Sequence, residues 1–187
     1  MVYNNQYRNM NSSELTRFKL SIKDIESVAL YIKENFMNKL VTFNSKSHTI
    51  PLTFQSTNFQ HLCGIKYEYG AKAFFESCIA QNINLEKVKI KADNTTFQKL
   101  SVLPLIKHLL SNKTSICPGG ILNHIDYDSG LSTSNSRMLI PLKLKRDSYV
   151  MISLLNMMRH SHEINNVEKV TSIFSKDFHT RITTKLL

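Results

Sequence analysis

The spacing of apolar residues changes along this 187-residue chain, from a helical period in the first half to alternation in the second. Between residues 22 and 40, apolar side chains recur on one face of a helix, whereas residues 138–144 carry them at every second position. Segments in this order predict an α+β fold, in which N-terminal helices pack on a twisted antiparallel β-sheet.

Local patterns predict the individual elements. The first helix follows Ser21, which forms a capping-box pattern with Asp24, and further helices cover residues 71–80 and 94–110. Pro104 predicts a kink or break in the last helix, and Pro51 favours an edge position for its strand. The predicted strands are residues 40–44, 49–55, 85–91, 114–117, 121–127, 137–145, 149–155 and 167–174, with a turn at 117–120 and either a short helix or no regular structure after 176.

Length and composition favour one domain over residues 18–187, preceded by a flexible arm over residues 1–17 that is rich in Asn and Ser. No apolar run reaches the roughly 18 residues of a membrane span, and no apolar N-terminal core indicates secretion, so a cytoplasmic protein is expected. Cys63, Cys78 and Cys117 are odd in number and lack metal-ligand spacing, which predicts reduced thiols.

The chain is strongly basic, with 24 Lys and Arg against 14 Asp and Glu and a formal net charge of +10. This excess favours an anionic partner, either a nucleic acid or an acidic protein surface. Two segments are candidates for RNA contact: the loop with Lys66, Tyr67 and Lys72, and the basic strand face with Lys89 and Lys91. Aromatic and cationic residues also populate ordinary loops, so both interpretations of the first segment stay open.

His61 lies in a short segment, residues 59–65, that has apolar residues at helical spacing and a glycine near its end. Thr57 or Asn58 is expected to cap this turn and Gly64 to end it, which would hold the histidine rigidly. An imidazole with an ordinary pKa of about 6.5 transfers protons near neutral pH. The alternative is a histidine that only hydrogen-bonds the backbone.

Lys99 is expected in the first turn of the helix that starts near residue 94, where the helix dipole disfavours a cation unless an anion is bound. Either a bound phosphate or exposure of the side chain to water would account for a lysine at this position. Ser153 is predicted on a strand, as a hydrogen-bonded serine on a packed face or as a hydroxyl directed at a cleft.

No metal or cofactor is predicted. His124 with Asp126 and Asp128, and His160 with His162, are the nearest approaches to a ligand set, and neither is complete.

Three segments resemble, in the same order, a phage-associated branch of the barnase, EndoU, colicin and RelE-like nuclease superfamily. The first, Phe59 to Gly64, resembles the aromatic-x-His-Leu-x-Gly signature of that branch. The others are residues 93–100 and 153–156, and the similarity spans approximately residues 40–175. The sequence departs at Cys63, where a small hydroxyl residue is expected, so no catalytic role is assigned to that side chain.

The resemblance implies a nuclease fold and metal-independent RNA cleavage in a bacterial host cell. His61 would act as acid or base, Lys99 would neutralise phosphate charge, and Ser153 would donate a hydrogen bond to a phosphate oxygen. Thr96 would bind the same phosphate or cap its helix, and His124 is a weaker candidate for the second acid or base.

Some nuclease-like anti-CRISPR proteins act on guide RNA, and the chain resembles these more narrowly. Guide RNA or a Cas ribonucleoprotein is therefore a candidate partner. Two alternatives remain: a protein that binds RNA or a ribonucleoprotein without cleaving it, and an inhibitor that binds another protein through its basic surface.

Overall fold

The computed structural model describes residues 7–133, 137–158 and 163–187. Its helices are α1 (Ser12–Asn35), α2 (Ser56–Cys63), α3 (Ala71–Ile79) and α4 (Thr95–Leu100), with 3-10 turns at Leu85–Lys87 and Leu103–His108. Helices dominate the first half and strands the second, so the predicted α+β class is confirmed. No helix within the described ranges combines the length and apolarity needed to cross a membrane.

The strands form two sheets. They are β1 (Tyr7–Arg8), β2 (Lys39–Asn44), β3 (Thr49–Thr53), β4 (Ile65–Tyr67), β5 (Val88–Lys91), β6 (Thr114–Leu122), β7 (Ile125–Thr133), β8 (Met138–Lys145), β9 (Ser148–Met151), β10 (Leu155–Asn156), β11 (Glu168–Lys169), β12 (Ser172–Asp177) and β13 (Thr183–Lys185). The small sheet has the order β1-β5-β4. The large sheet has the order β11-β6-β7-β8-β9-β3-β2-β12-β13, and β10 pairs with β8.

The large sheet is mixed rather than wholly antiparallel as predicted, because β3 and β9 pair in parallel. This pairing also places β3 inside the sheet, so the edge position predicted from Pro51 is wrong. The proline is tolerated because the β9 pairing engages Leu52 and Thr53 only, while Pro51 lies opposite Thr42 on β2.

Helix α1 begins ten residues earlier than the Ser21 capping box predicted. The Asn11 side chain accepts a hydrogen bond from the Glu14 backbone N–H, and the Glu14 carboxylate accepts one from the Asn11 N–H. Arg8 pairs with Glu14 at 2.6 Å. Within the segment predicted as a flexible arm, residues 7–8 form β1 and residues 12–17 belong to α1.

Two further segments differ from the predictions, and one predicted break is present. Residues 117–120 continue strand β6 instead of turning, and the turn lies at Asn123 and His124, both with positive φ. The helix predicted over residues 94–110 is split, as Pro104 indicated, into α4 and a 3-10 turn. The C-terminal tail adds strand β13 to the large sheet.

The core cluster contains buried residues of α1, α2 and α3 and of both sheets. Aromatic packing is densest around α2 and α3, where Phe59 contacts Phe74 and Phe75 with ring centroids 5.8 and 5.3 Å apart. These contacts fix α2, which carries His61, against the rest of the domain. His160 and His162 lie outside the described residues.

Candidate active site

Helix α2 ends at Gly64 as the sequence predicted, but its N-cap is Gln55 rather than Thr57 or Asn58. Asn58 accepts a hydrogen bond from the Gln55 backbone N–H at 3.2 Å, and Gly64 adopts a left-handed conformation with φ of +67°. A glycine takes this conformation without strain, so the chain turns directly into β4. His61 is consequently fixed in the last turn of a short helix whose other face is buried.

Gly64 has a second role, because the Lys99 side chain passes over it. A Cβ atom at this position would lie 2.7 Å from Lys99 Cδ, well inside van der Waals contact. The glycine of the signature therefore opens the path by which the lysine of the next segment reaches the site. Two separate motifs of the sequence meet at this point.

Thr96 holds the same two segments together. Its hydroxyl donates to the Gly64 carbonyl at 2.6 Å and accepts from the Lys91 backbone N–H at 3.0 Å. The side chain is fully buried. Both predicted roles of Thr96 fail to fit this geometry: its hydrogen bonds are used within the fold, and it makes no capping bond to α4.

The Lys99 ammonium group joins His61 to Ser153. Nζ donates to the His61 backbone carbonyl and to Ser153 Oγ, each at 2.8 Å. An ammonium has three N–H donors, so one remains for a ligand. Ser153 accepts the lysine's bond, which leaves its own O–H to be donated.

Burial makes this lysine a weaker base than an exposed one. Lys99 is only 8% exposed, and desolvation together with the nearby charge of Lys91 lowers its pKa from the ordinary 10.5 to about 8. The ammonium form still predominates at pH 7. The predicted position in the first turn is wrong, since α4 is six residues long and Lys99 lies in its last turn, where the helix dipole favours a cation.

Lys99 and Ser153 open onto a cleft of about 590 Å³, a size typical of ligand-binding sites. Three parts of the chain line it: the β5–α4 region with Lys91, Asp93 and Gln98; the β6–β7 turn at residues 123–125; and residues 153–156. Ser153 lies between β9 and β10 rather than within one strand as predicted. Ser153 is nearly buried and accepts the Lys99 hydrogen bond, and it also lines the cleft. It therefore combines features of both predicted alternatives, a hydrogen-bonded serine and a hydroxyl at a cleft.

The His61 side chain remains accessible to solvent. Partial burial of its ring, and then the positive charges of Lys99 and Lys91, lower its pKa below the ordinary 6.5. The imidazole is therefore neutral at pH 7 and able to accept a proton. Its ring does not belong to the wall of the cleft, and its backbone carbonyl makes the contact with Lys99.

The predicted RNA-binding residues divide into three groups. Lys91 lines the cleft. Lys66, Lys72 and Lys89 lie on the surface, where Lys89 pairs with Glu68 at 3.0 Å and Lys72 approaches Glu76 at 3.7 Å. Tyr67 is 3% exposed, and its hydroxyl accepts the Asn84 backbone N–H, so the base-stacking role predicted for it is wrong.

Sequence reasoning missed Asp93, Gln98 and Asn156 as parts of the site, although all three fall within the segments that carried the resemblance. The available signal was spacing, because Gln98 adjoins Lys99 on α4 and Asn156 follows Ser153 by three residues. Asp126 and Asp128, considered as metal ligands, both bind Lys143, at 2.8 and 2.9 Å.

Comparison with known proteins agrees with the resemblance. Residues 24–186 match the model of a family described as phage-Barnase-EndoU-ColicinE5/D-RelE like nuclease4. No curated protein and no solved structure matches the chain. The matched range contains α2, α4 and every residue that lines the cleft.

Proposed function

From its membership of the phage-associated barnase, EndoU, colicin and RelE-like nuclease family, we propose that this chain is a metal-independent endoribonuclease. The observation that carries the proposal is the Lys99 ammonium group, held between the His61 carbonyl and Ser153 Oγ at the wall of the cleft. RNA as the substrate, the absence of a metal requirement and the roles of individual residues are all part of the proposal.

In the proposed reaction, the ribose 2′-hydroxyl attacks the adjacent phosphorus and the 5′-oxygen leaves, giving a 2′,3′-cyclic phosphate and a 5′-hydroxyl. Negative charge accumulates on the phosphoryl oxygens in the transition state. The third N–H of Lys99 and the O–H of Ser153, neither of which is used in the Lys99–Ser153 bond, would donate to those oxygens. Both donors are held in place before substrate arrives, which favours the transition state without further reorganisation.

His61 is the proposed general base, because its side chain is exposed to solvent, its backbone carbonyl contacts the Lys99 ammonium, and its lowered pKa favours the neutral imidazole at pH 7. Its ring lies outside the wall of the cleft, so this role requires a substrate that extends past Lys99 to the end of α2. The positive charges that lower this pKa are those that would bind the phosphate. The same charges support a reaction without a divalent metal. The cleft is lined by two ammonium groups, those of Lys91 and Lys99, and by one carboxylate, that of Asp93. Because the ammonium groups outnumber the carboxylate, they repel a metal cation.

The test is cleavage of labelled RNAs by the purified protein in EDTA, with products separated on a denaturing gel. The RNAs include a CRISPR guide RNA, which the narrower anti-CRISPR resemblance makes a specific candidate. Lys99→Met keeps the buried stem and removes the ammonium, and Lys23→Met, an exposed position on α1, is the matched control.

We expect Lys99→Met to lose about 100- to 1,000-fold in kcat, as for removal of one oxyanion donor, and His61→Ala to lose about 100- to 10,000-fold. Lys23→Met should cleave like the wild type. A folded Lys99→Met protein that cleaves at the wild-type rate would refute the assignment. Intact RNA with the wild type would favour the non-cleaving alternatives, in which the basic surface binds RNA or a protein.

A further inference from the structure

Asn156 belongs to the third of the segments that resemble the family, residues 153–156, but the proposed reaction assigns it no role. It lies in strand β10 and lines the cleft together with Ser153 and Lys99. Ser153 and Asn156 are three residues apart, so at a strand rise of about 3.3 Å their Cα atoms lie within about 10 Å of each other. When the phosphate of a nucleotide binds at Ser153, the base of the same nucleotide is long enough to reach Asn156.

Hydrogen bonds fix the orientation of the Asn156 amide. The Met158 backbone N–H donates to Asn156 Oδ1 at 3.0 Å, and Asn156 Nδ2 donates to Ser101 Oγ at 2.9 Å. Ser101 in turn donates its only hydroxyl proton to the Gln98 carbonyl at 2.7 Å. Ser101 must therefore accept from Asn156, and exchanging the amide oxygen and nitrogen would break both Asn156 bonds.

The fixed amide retains one N–H donor and one oxygen lone pair. A neighbouring donor and acceptor complement the hydrogen-bonding edge of a nucleobase, as asparagine does in nucleic-acid recognition. Ile125, which lines the same cleft and is partly exposed, supplies apolar surface for the face of a base. The cleft thus has a cationic part beside Lys99 and an amide-bearing, partly apolar part beside Asn156.

We infer that Asn156 determines the base specificity of cleavage, by hydrogen bonding to the nucleobase next to the scissile phosphate. Ser101 is a positioning residue, which acts by holding the amide in one orientation. The inference rests on the proposed function, since it requires RNA in the cleft. The Asn156 contact adds discrimination between bases, which contacts to the phosphate alone do not provide.

The experiment measures kcat/KM on short RNAs that present every dinucleotide step in one sequence context. It compares the wild type with Asn156→Ala, Ser101→Ala and the exposed control Asn82→Ala. The wild type should prefer one base on one side of the cleaved bond. Asn156→Ala should reduce that preference about 5- to 150-fold, the range for one bidentate base contact, and Ser101→Ala should reduce it less.

The change in base preference distinguishes a base contact of Asn156 from a structural role of this residue. A uniform loss of rate on all dinucleotides in Asn156→Ala, with the preference intact, would overturn the inference and leave the nuclease proposal standing. A wild type that cleaves every dinucleotide step at the same rate would also overturn the inference and leave the nuclease proposal standing. Ser101→Ala keeps Asn156 itself and provides a second reading if Asn156→Ala unfolds. A wild type that cleaves none of the RNAs would overturn the proposed function, and the inference with it.

Discussion

The buried ammonium of Lys99 should make a contribution to the stability of this protein that increases between pH 8 and pH 10.5. Its pKa is lowered to about 8 in the folded chain from an ordinary value of 10.5, chiefly by burial. Between these two values the unfolded chain binds the proton that the folded chain has released, so raising the pH stabilises the fold. Below pH 8 both states are protonated, and this contribution to stability is absent.

The magnitude follows from the two pKa values. At about 1.4 kcal/mol for each pH unit of pKa difference, the lowered pKa of Lys99 corresponds to about 3 kcal/mol. Lys99→Met removes the titrating group and keeps a side chain of similar length in the path over Gly64. The unfolding free energy of the wild type, minus that of Lys99→Met, should therefore increase by about 3 kcal/mol from pH 7 to pH 10.5.

Urea denaturation of both proteins at a series of pH values measures this difference. Subtraction is essential, because the buried thiols of Cys63 and Cys78 have raised pKa values and lower the stability of both proteins above about pH 9. Lys23→Met, which removes an exposed ammonium, should show no such difference from the wild type. A wild type minus Lys99→Met difference that stays flat from pH 7 to pH 10.5 would refute the reasoning.

Four further predictions concern the site and its support. The pH profile of kcat/KM should be bell-shaped, rising as His61 loses its proton below pH 6.5 and falling as Lys99 loses its own near pH 8; a rate still rising through pH 9 would contradict these roles. Gly64→Ala should lose about 1–2 kcal/mol of stability from its φ of +67° alone, and kcat as well, because the new Cβ displaces Lys99. Thr96→Val, which keeps the shape and removes two buried hydrogen bonds, should cost about 2–3 kcal/mol in thermal or urea unfolding. Tyr67→Phe, which keeps the ring and removes the hydroxyl, should cost about 1 kcal/mol of stability in urea unfolding from the lost Asn84 bond; an unchanged unfolding free energy would contradict that contribution.

The sequence predicted the fold class because the apolar period reports which face of each element is buried. It placed α3 within a residue and the β2–β3 hairpin closely, since these depend on local patterns. It failed where distant partners decide the outcome. Pro51 lies in an interior strand because β9 pairs only beyond it, and residues 117–120 stay extended because β7 pairs alongside them.

The site was predicted in part for the same reason. His61, Lys99 and Ser153 were selected from three short segments, and the structure brings the Ser153 hydroxyl and the His61 backbone carbonyl to the Lys99 ammonium group. The catalytic roles of the three side chains stay predictions. Thr96 and Tyr67 belong to the same region but face inward, and only tertiary burial distinguishes an inward hydroxyl or ring from one that meets a ligand. The Asn156 amide was missed because its orientation depends on Ser101, 55 residues away in the sequence.

The positions of the three segments are physically coupled, which explains why they occur together in one chain. Gly64 must lack a side chain for Lys99 to pass, and Thr96 binds the Gly64 carbonyl one turn before Lys99 on α4. Lys99 then fixes Ser153 directly and the end of α2 through the His61 carbonyl. A change in any one segment therefore moves the ammonium group on which the other two depend. Double-mutant cycles between Gly64→Ala and Ser153→Ala should accordingly show strong non-additivity in kcat, since both act through the position of Lys99.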